Sequence, residues 1–271
     1  MGEMSGLGPK SRQRLGQVLR QTKGTISVAE ASDILQMPRA QTARLLARWQ
    51  EWGWLSRVRR GLYVPVPLES PSPDVALEDP WIVAERLFTP CYIGGWSAQE
   101  HWGLTEQIFR SVLVITTRRP RERKPTIKGT AFVLRTIQPR AFFGTQAVWR
   151  ERVKVLISDP TRTVLDILKA PSMAGGLRPG VDVLRNYLAS ETCDLKRLVS
   201  YATRLDNGAV FKRLGFLMER LSPAEEVTIG ACRDHVTQGN TKLDPDLPAE
   251  RLVTRWRLWV PARWAAEAPG D

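Results

Sequence analysis

The chain has 271 residues, 42% of them hydrophobic and 25% charged, with a net charge of +12 and a pI near 10.2. That is globular composition, long enough for two ordinary domains or one large one, each with a real core. No apolar run reaches the ~20 residues of a bilayer span. The N-terminus has no apolar signal core, and Cys91, Cys193 and Cys232 form no CxxC, which implies reduced thiols and a cytoplasmic protein; His101 and His235 are too few for most zinc sites.

Leu15, Val18, Leu19 and Thr22 recur at helical spacing, predicting a first helix that Gly24 closes. Ser27-Val-Ala-Glu30 is a capping box, and Val28, Ala31, Ile34 and Leu35 make the buried stripe behind it. Met37-Pro38 breaks the chain and starts a third helix, about Arg39 to Trp52, burying Leu45, Leu46 and Trp49. Two short β-rich runs, 54–58 and 62–65, flank the turn Arg59-Arg60-Gly61 and predict a hairpin. Helix, capped helix, turn, helix and basic hairpin is the order of a winged helix-turn-helix. Arg39, Gln41 and Arg44 are then the candidate base readers at the start of the third helix. Arg48, with Arg57, Arg59 and Arg60 on the wing, suits the DNA backbone.

Pro65, Pro67, Pro71, Pro73 and Pro80, mixed with Ser70, Ser72, Asp74, Glu78 and Asp79, read as an extended linker over 67–80. It separates a domain of residues 1–66 from a larger mixed α/β domain of residues 81–265, an α+β chain as a whole. In that second part a helix is expected over 81–88, and Ser97-Ala-Gln-Glu100 reads as another capping box. Strands are expected at 111–117, 131–137 and 153–157, and Asp159-Pro160 should open a helix ending near Lys169. The Gly-rich stretch 174–180 reads as a loop before helices near 181–190, 195–205 and 209–221. The alternation over 252–260 reads as a strand returning to the sheet.

Charge is unevenly placed. Residues 1–66 hold 11 basic and 4 acidic side chains, net +7. Arg118, Arg119, Arg121, Arg123, Lys124 and Lys128 against Glu122 add +5 in one segment, a possible second electrostatic contact, and leave the rest of the C-terminal part neutral. Catalytic signatures fail. Gly175-Gly176…Gly180 lacks phosphate-loop spacing, and Glu100 and His101 are adjacent on a helix and point apart. Asp194-Leu-Lys196 would need Asp159 to make a metal nuclease, and Asp159 reads as a helix cap. Trp96, Trp102 and Trp149 read as core or interface mass. No catalytic residue, metal ligand or cofactor is assigned, and the alternative reading is a nucleic-acid-processing enzyme whose nuclease-like C-terminal domain is delivered by the winged helix.

Several stretches resemble the AbiEi antitoxin family: Arg59-Arg-Gly-Leu-Tyr-Val-Pro65 for its N-terminal domain, and five more for its C-terminal domain. These are Tyr92-Ile-Gly-Gly-Trp-Ser-Ala98, Glu100-His-Trp-Gly-Leu-Thr-Glu106, Ile115-Thr-Thr-Arg-Arg119, Ser158-Asp-Pro-Thr-Arg-Thr-Val-Leu-Asp166 and Asn207-Gly-Ala-Val-Phe-Lys-Arg-Leu-Gly-Phe216. The resemblance implies the antitoxin of a type IV toxin–antitoxin system that serves abortive infection and phage defence in the bacterial cytoplasm. It implies repression of a shared promoter at inverted-repeat double-stranded DNA, a nucleotidyltransferase toxin as functional partner, and no catalysis. With no coiled coil to pre-form a dimer, the expectation is a monomer that pairs on DNA.

Overall fold

The structure, a computed structural model, describes residues 8–22, 24–66 and 79–265. The linker expected at 67–80 lies outside the described residues but for its last two positions. Chain order begins with α1 (Pro9–Gln21), β1 (Ile26–Ser27), α2 (Val28–Leu35), α3 (Arg39–Glu51), β2 (Leu55–Arg59) and β3 (Leu62–Pro65). It continues through α4 (Pro80–Phe88), β4 (Cys91–Ile93), α5 (Gly95–His101), β5 (Ser111–Thr116), β6 (Thr126–Ile127) and β7 (Thr130–Thr136). Then come β8 (Thr145–Arg150), β9 (Val153–Ser158), α6 (Pro160–Lys169), α7 (Leu177–Leu188), α8 (Leu195–Leu205) and α9 (Gly208–Leu221). The last elements are α10 (Glu226–Asp234), β10 (Thr241–Lys242), β11 (Arg251–Val253), β12 (Leu258–Val260) and α11 (Ala262–Ala265). Among the described residues three sheets form, ordered β1-β3-β2, β6-β7-β5-β4-β9-β8 and β10-β12-β11. The α+β class stands, with an N-terminal winged helix-turn-helix and a larger mixed part behind it.

The chain divides into two compact units, one of residues 1–91, 110–136 and 147–156, the other of 92–109, 137–146 and 157–271. In the first, Leu15, Val18, Ile26, Ala31, Leu46, Trp49, Leu55 and Tyr63 are buried together under α1, α2, α3 and the wing. Leu45, expected in that core, packs only partly buried at its rim. Elsewhere in this unit β5 and β7 pair in parallel from Ser111↔Ala131 to Thr116↔Thr136, and β6 pairs antiparallel to β7. The β6–β7 turn places Lys128 at φ 49° and Gly129 at φ 76°. Two consecutive left-handed residues suit the right-handed twist of a tight hairpin, and glycine takes one of them without steric cost.

The second unit is built around α6, which is buried at every position from Pro160 to Leu168. Asp159 caps it, its Oδ1 accepting from the Arg162 N–H at 2.7 Å. Helices α7 to α10 pack on this centre. In α9, Gly215 lies against the Trp256 ring so closely that an added Cβ would sit 2.0 Å from it.

Several expectations need correction. Helix α5 starts at Gly95 with Gly94 as N-cap and no side-chain cap, so Ser97 to Glu100 is helix interior rather than a capping box. Ser97, Ala98 and Gln99 are buried there, and burial overrides the local cap pattern. Helix α7 starts at Leu177, with Pro179 and Gly180 in its first turn, where a missing N–H is harmless. The stretch 252–260 is broken by a 3₁₀ turn at Thr254–Trp256, and its halves pair with each other and with β10 instead of joining the main sheet. The basic segment 118–128 contains β6 and is not a plain loop. Trp149 is 67% exposed on β8, so it is not core mass.

Candidate nucleic-acid interface

The start of α3 is held by its neighbours. At the start of α2, Ser27 N–H donates to Glu30 Oε2 (3.2 Å) and Glu30 N–H to Ser27 Oγ (3.1 Å), a full capping box. Helix α2 ends on Gln36 in the left-handed region, φ 49°. The turn that follows is tied down by Ser32, whose hydroxyl donates to the Met37 carbonyl at 2.6 Å. Thr42, inside α3, donates its hydroxyl to the Pro38 carbonyl at 3.2 Å. From α1, the Gln17 amide donates to the Ile34 carbonyl at 3.0 Å. Helix α3 then buries Thr42, Leu46 and Trp49. Arg39, Gln41, Arg44 and Arg48 are all exposed. The Arg48 guanidinium lies 6.0 Å from the Trp52 ring, which steers it toward the end of the helix.

The wing is β2 and β3, with β1 on the far side of β3. Arg57 faces Tyr63 and Arg59 faces Leu62, with a register shift between Arg57 and Arg59. A bulge bends the strand and re-aims its side chains. Arg57, Arg59 and Arg60 are exposed at this tip.

The segment 118–128 presents Arg118, Arg119, Arg121, Arg123 and Lys124 exposed, with Lys128 half-buried in the β6–β7 turn. Its backbone is fixed. Arg118 N–H donates to Thr116 Oγ1 (3.1 Å), and the carbonyls of Arg123 and Pro125 accept from Leu134 N–H (2.8 Å) and Phe132 N–H (2.9 Å).

One residue with a part in holding this region went unread in the sequence. Arg86 of α4 donates to Glu30 Oε1 at 2.7 Å. The two positions are 56 residues apart, and no periodicity or motif joins them. Glu30 therefore uses one carboxylate oxygen to cap α2 and the other to hold Arg86. Burial pushes its carboxyl upward, but the Ser27 hydrogen bonds and the Arg86 charge outweigh that and leave it below the ordinary range.

Asp159 and Asp194 have structural partners. Asp159 caps α6 and also accepts from the Tyr201 hydroxyl at 3.2 Å, while Asp194 caps α8 through Arg197 N–H at 2.8 Å. No group of three or more His, Cys, Asp or Glu among the described residues could hold a metal ion. A cleft of about 590 Å³ at the first turns of α6 and α8 includes Cys193, whose thiol is pushed up by burial and then by Glu225 and Asp194, away from a reactive thiolate. His101 is exposed, its ring edge-on to Trp102 at 4.6 Å. No described helix is long and apolar enough to cross a membrane.

Residues 13–66 match the family model described as "Transcriptional regulator, AbiEi antitoxin". The matched stretch is the winged helix-turn-helix, from α1 through the wing. Among solved structures, the chain is similar to the RV2827C protein from Mycobacterium tuberculosis, at 16% identity and a TM-score of 0.65, over 96% of this chain and 94% of that one. At that identity the likeness is one of fold. A comparison with the curated proteins gave no match.

Proposed function

We propose that this chain is a DNA-binding regulator of the antitoxin type, which occupies an inverted-repeat operator in its own promoter and represses its operon. It counteracts a nucleotidyltransferase toxin made from that operon in the bacterial cytoplasm, without a catalytic step. Residues 1–66 read the DNA, and residues 81–265 carry the antitoxin role. One observation carries this reading. Arg39, Gln41 and Arg44 stand exposed at the start of a helix that buries Thr42, Leu46 and Trp49, beside a wing tip with three exposed arginines, all within the stretch that matches the regulator family.

The division of labour follows from position. Side chains on the first turns of the second helix of a helix-turn-helix meet base edges in the major groove. Arg44 suits the guanine edge and Gln41 the adenine edge, both bidentately. Arg48, Arg57, Arg59 and Arg60 neutralise phosphates and set register without reading sequence. The absence of a catalytic step is supported by Asp159 and Asp194, each engaged as a helix cap.

Arg44→Ala should cost about 1–3 kcal/mol on the promoter site and little on scrambled DNA of equal length. Arg59→Ala should weaken both, and lower the salt slope by about 0.9. Fluorescence anisotropy across a salt series measures both. Equal losses for Arg44→Ala on the two DNAs would overturn its role as a reader.

A further inference from the structure

Outside the winged helix, the densest charge lies on a backbone that is tied to a sheet. Arg118 to Lys124 carries five cations against a single acid, Glu122, and all but Pro120 are exposed. This stretch offers no exposed aromatic or aliphatic side chain to form the dry centre that a protein interface needs. It offers guanidinium groups at fixed backbone positions, which is what a phosphodiester chain requires.

The segment belongs to the same compact unit as the winged helix. A continuous series of contacts joins the two. Glu30, at the start of α2, holds Arg86 of α4. Ile82, earlier in α4, packs its side chain over Gly24, where an added Cβ would lie 3.4 Å from it. Helix α4 ends on Phe88, whose carbonyl accepts from the Thr116 hydroxyl at 2.8 Å. Thr116 Oγ1 in turn accepts from Arg118 N–H, the first residue of the basic segment.

We propose that Arg119, Arg121, Arg123 and Lys124 form a second phosphate-binding strip that engages the same duplex as the winged helix, held in place relative to α3 by the Arg86–Glu30 bridge. The inference rests on the DNA reading given above, and makes Arg86 a positioning residue that touches no DNA.

The test uses the full chain on a promoter duplex and on a scrambled duplex of equal length, from 50 to 200 mM salt. Replacing Arg119, Arg121, Arg123 and Lys124 together by Ser should weaken both duplexes by the same factor. It should also flatten the salt slope by up to about 3.6, or about 0.9 for each phosphate released. All four side chains are exposed, so the variant should melt as the parent does. Arg86→Gln should weaken both duplexes about two- to fivefold, the range of a surface ion pair. Arg86→Lys should restore binding, and Arg86→Gln should add nothing to the fourfold variant, because each acts through the other. An unchanged salt slope in the fourfold variant overturns the strip. So does intact binding with lost toxin neutralisation in cells, which would assign the segment to a protein. Full additivity overturns the role of Arg86. Arg44→Ala on the same two duplexes separates these outcomes from failure of the winged-helix reading itself.

Discussion

Arg162 is the most enclosed charge among the described residues, with a side chain at 0% exposure. Its Nε donates to Asp166 Oδ1 (2.9 Å), Nη2 to the Tyr92 hydroxyl (3.0 Å) and Nη1 to the Phe143 carbonyl (3.2 Å). The Tyr92 hydroxyl donates to Asp166 Oδ2 at 2.9 Å, which closes the triad. Burial works against the Arg162 charge, but Asp166 and Tyr92 outweigh it and hold the guanidinium above its ordinary value. Asp166→Ala should therefore cost about 3–5 kcal/mol in urea unfolding, since it leaves a buried cation without a counter-charge. A loss below about 1 kcal/mol would mean that solvent reaches Arg162 in the folded chain. Glu30 gives a test in pH. Its carboxyl is lowered in the folded state, so its contribution is complete above the unfolded carboxylate value and fades as pH falls through the folded one. Glu30→Gln keeps an acceptor for the cap but loses the charge facing Arg86. The gap in melting temperature between parent and variant should close as pH falls below about 4. A gap that is constant from pH 7 to pH 3 would contradict this.

At the scale of elements, the capping box at Ser27 does what its four residues predict, and Ser27→Ala should cost about 0.5–2 kcal/mol in thermal unfolding. That box was legible because every partner lies within four positions. The order of α1, α2, α3 and the wing was legible for the same reason, as was the burial of Leu46 and Trp49 in α3. The same four-residue pattern misled at Ser97, where the chain enters α5 three residues early through Gly94 and Gly95 and buries the supposed cap. The strand expected from 252 to 260 failed because alternation says nothing about a left-handed residue. Arg257 at φ 47° turns the chain, and the halves fold onto each other. Strand β8 escaped notice because its pattern of exposure is irregular and gives no clean period of two. The Arg86–Glu30 bridge and the Tyr92–Arg162–Asp166 triad were beyond reach for a different cause. Arg86 lies 56 residues from Glu30 and Tyr92 70 from Arg162, and only the folded chain states that they meet.

For the whole molecule, the two units interleave along the chain, and the first is assembled from three separate segments. A Pro-rich run marks where a chain is extended, not which later segments pack together, so this arrangement could not be read from composition. The longest described helix is α9, 14 residues, and none carries the sustained heptads of a coiled coil. Sedimentation should find one copy per particle without DNA and two copies on a promoter fragment, at half-sites about one or two helical turns apart. A tight dimer in the absence of DNA would contradict the model of pairing on the operator. The fixed backbone of the basic segment also changes how a protease should see it. Trypsin cuts after arginine and lysine, which makes 118–124 the richest target in the sequence. Yet the carbonyl at the Arg123–Lys124 bond is held by Leu134 N–H, and proline follows both Arg119 and Lys124. Cleavage after Arg123 must wait for the edge of β7 to open. Limited digestion of the free protein should thus nick the chain after Arg121 well before Arg123, in a stretch where sequence alone offers no reason to rank them.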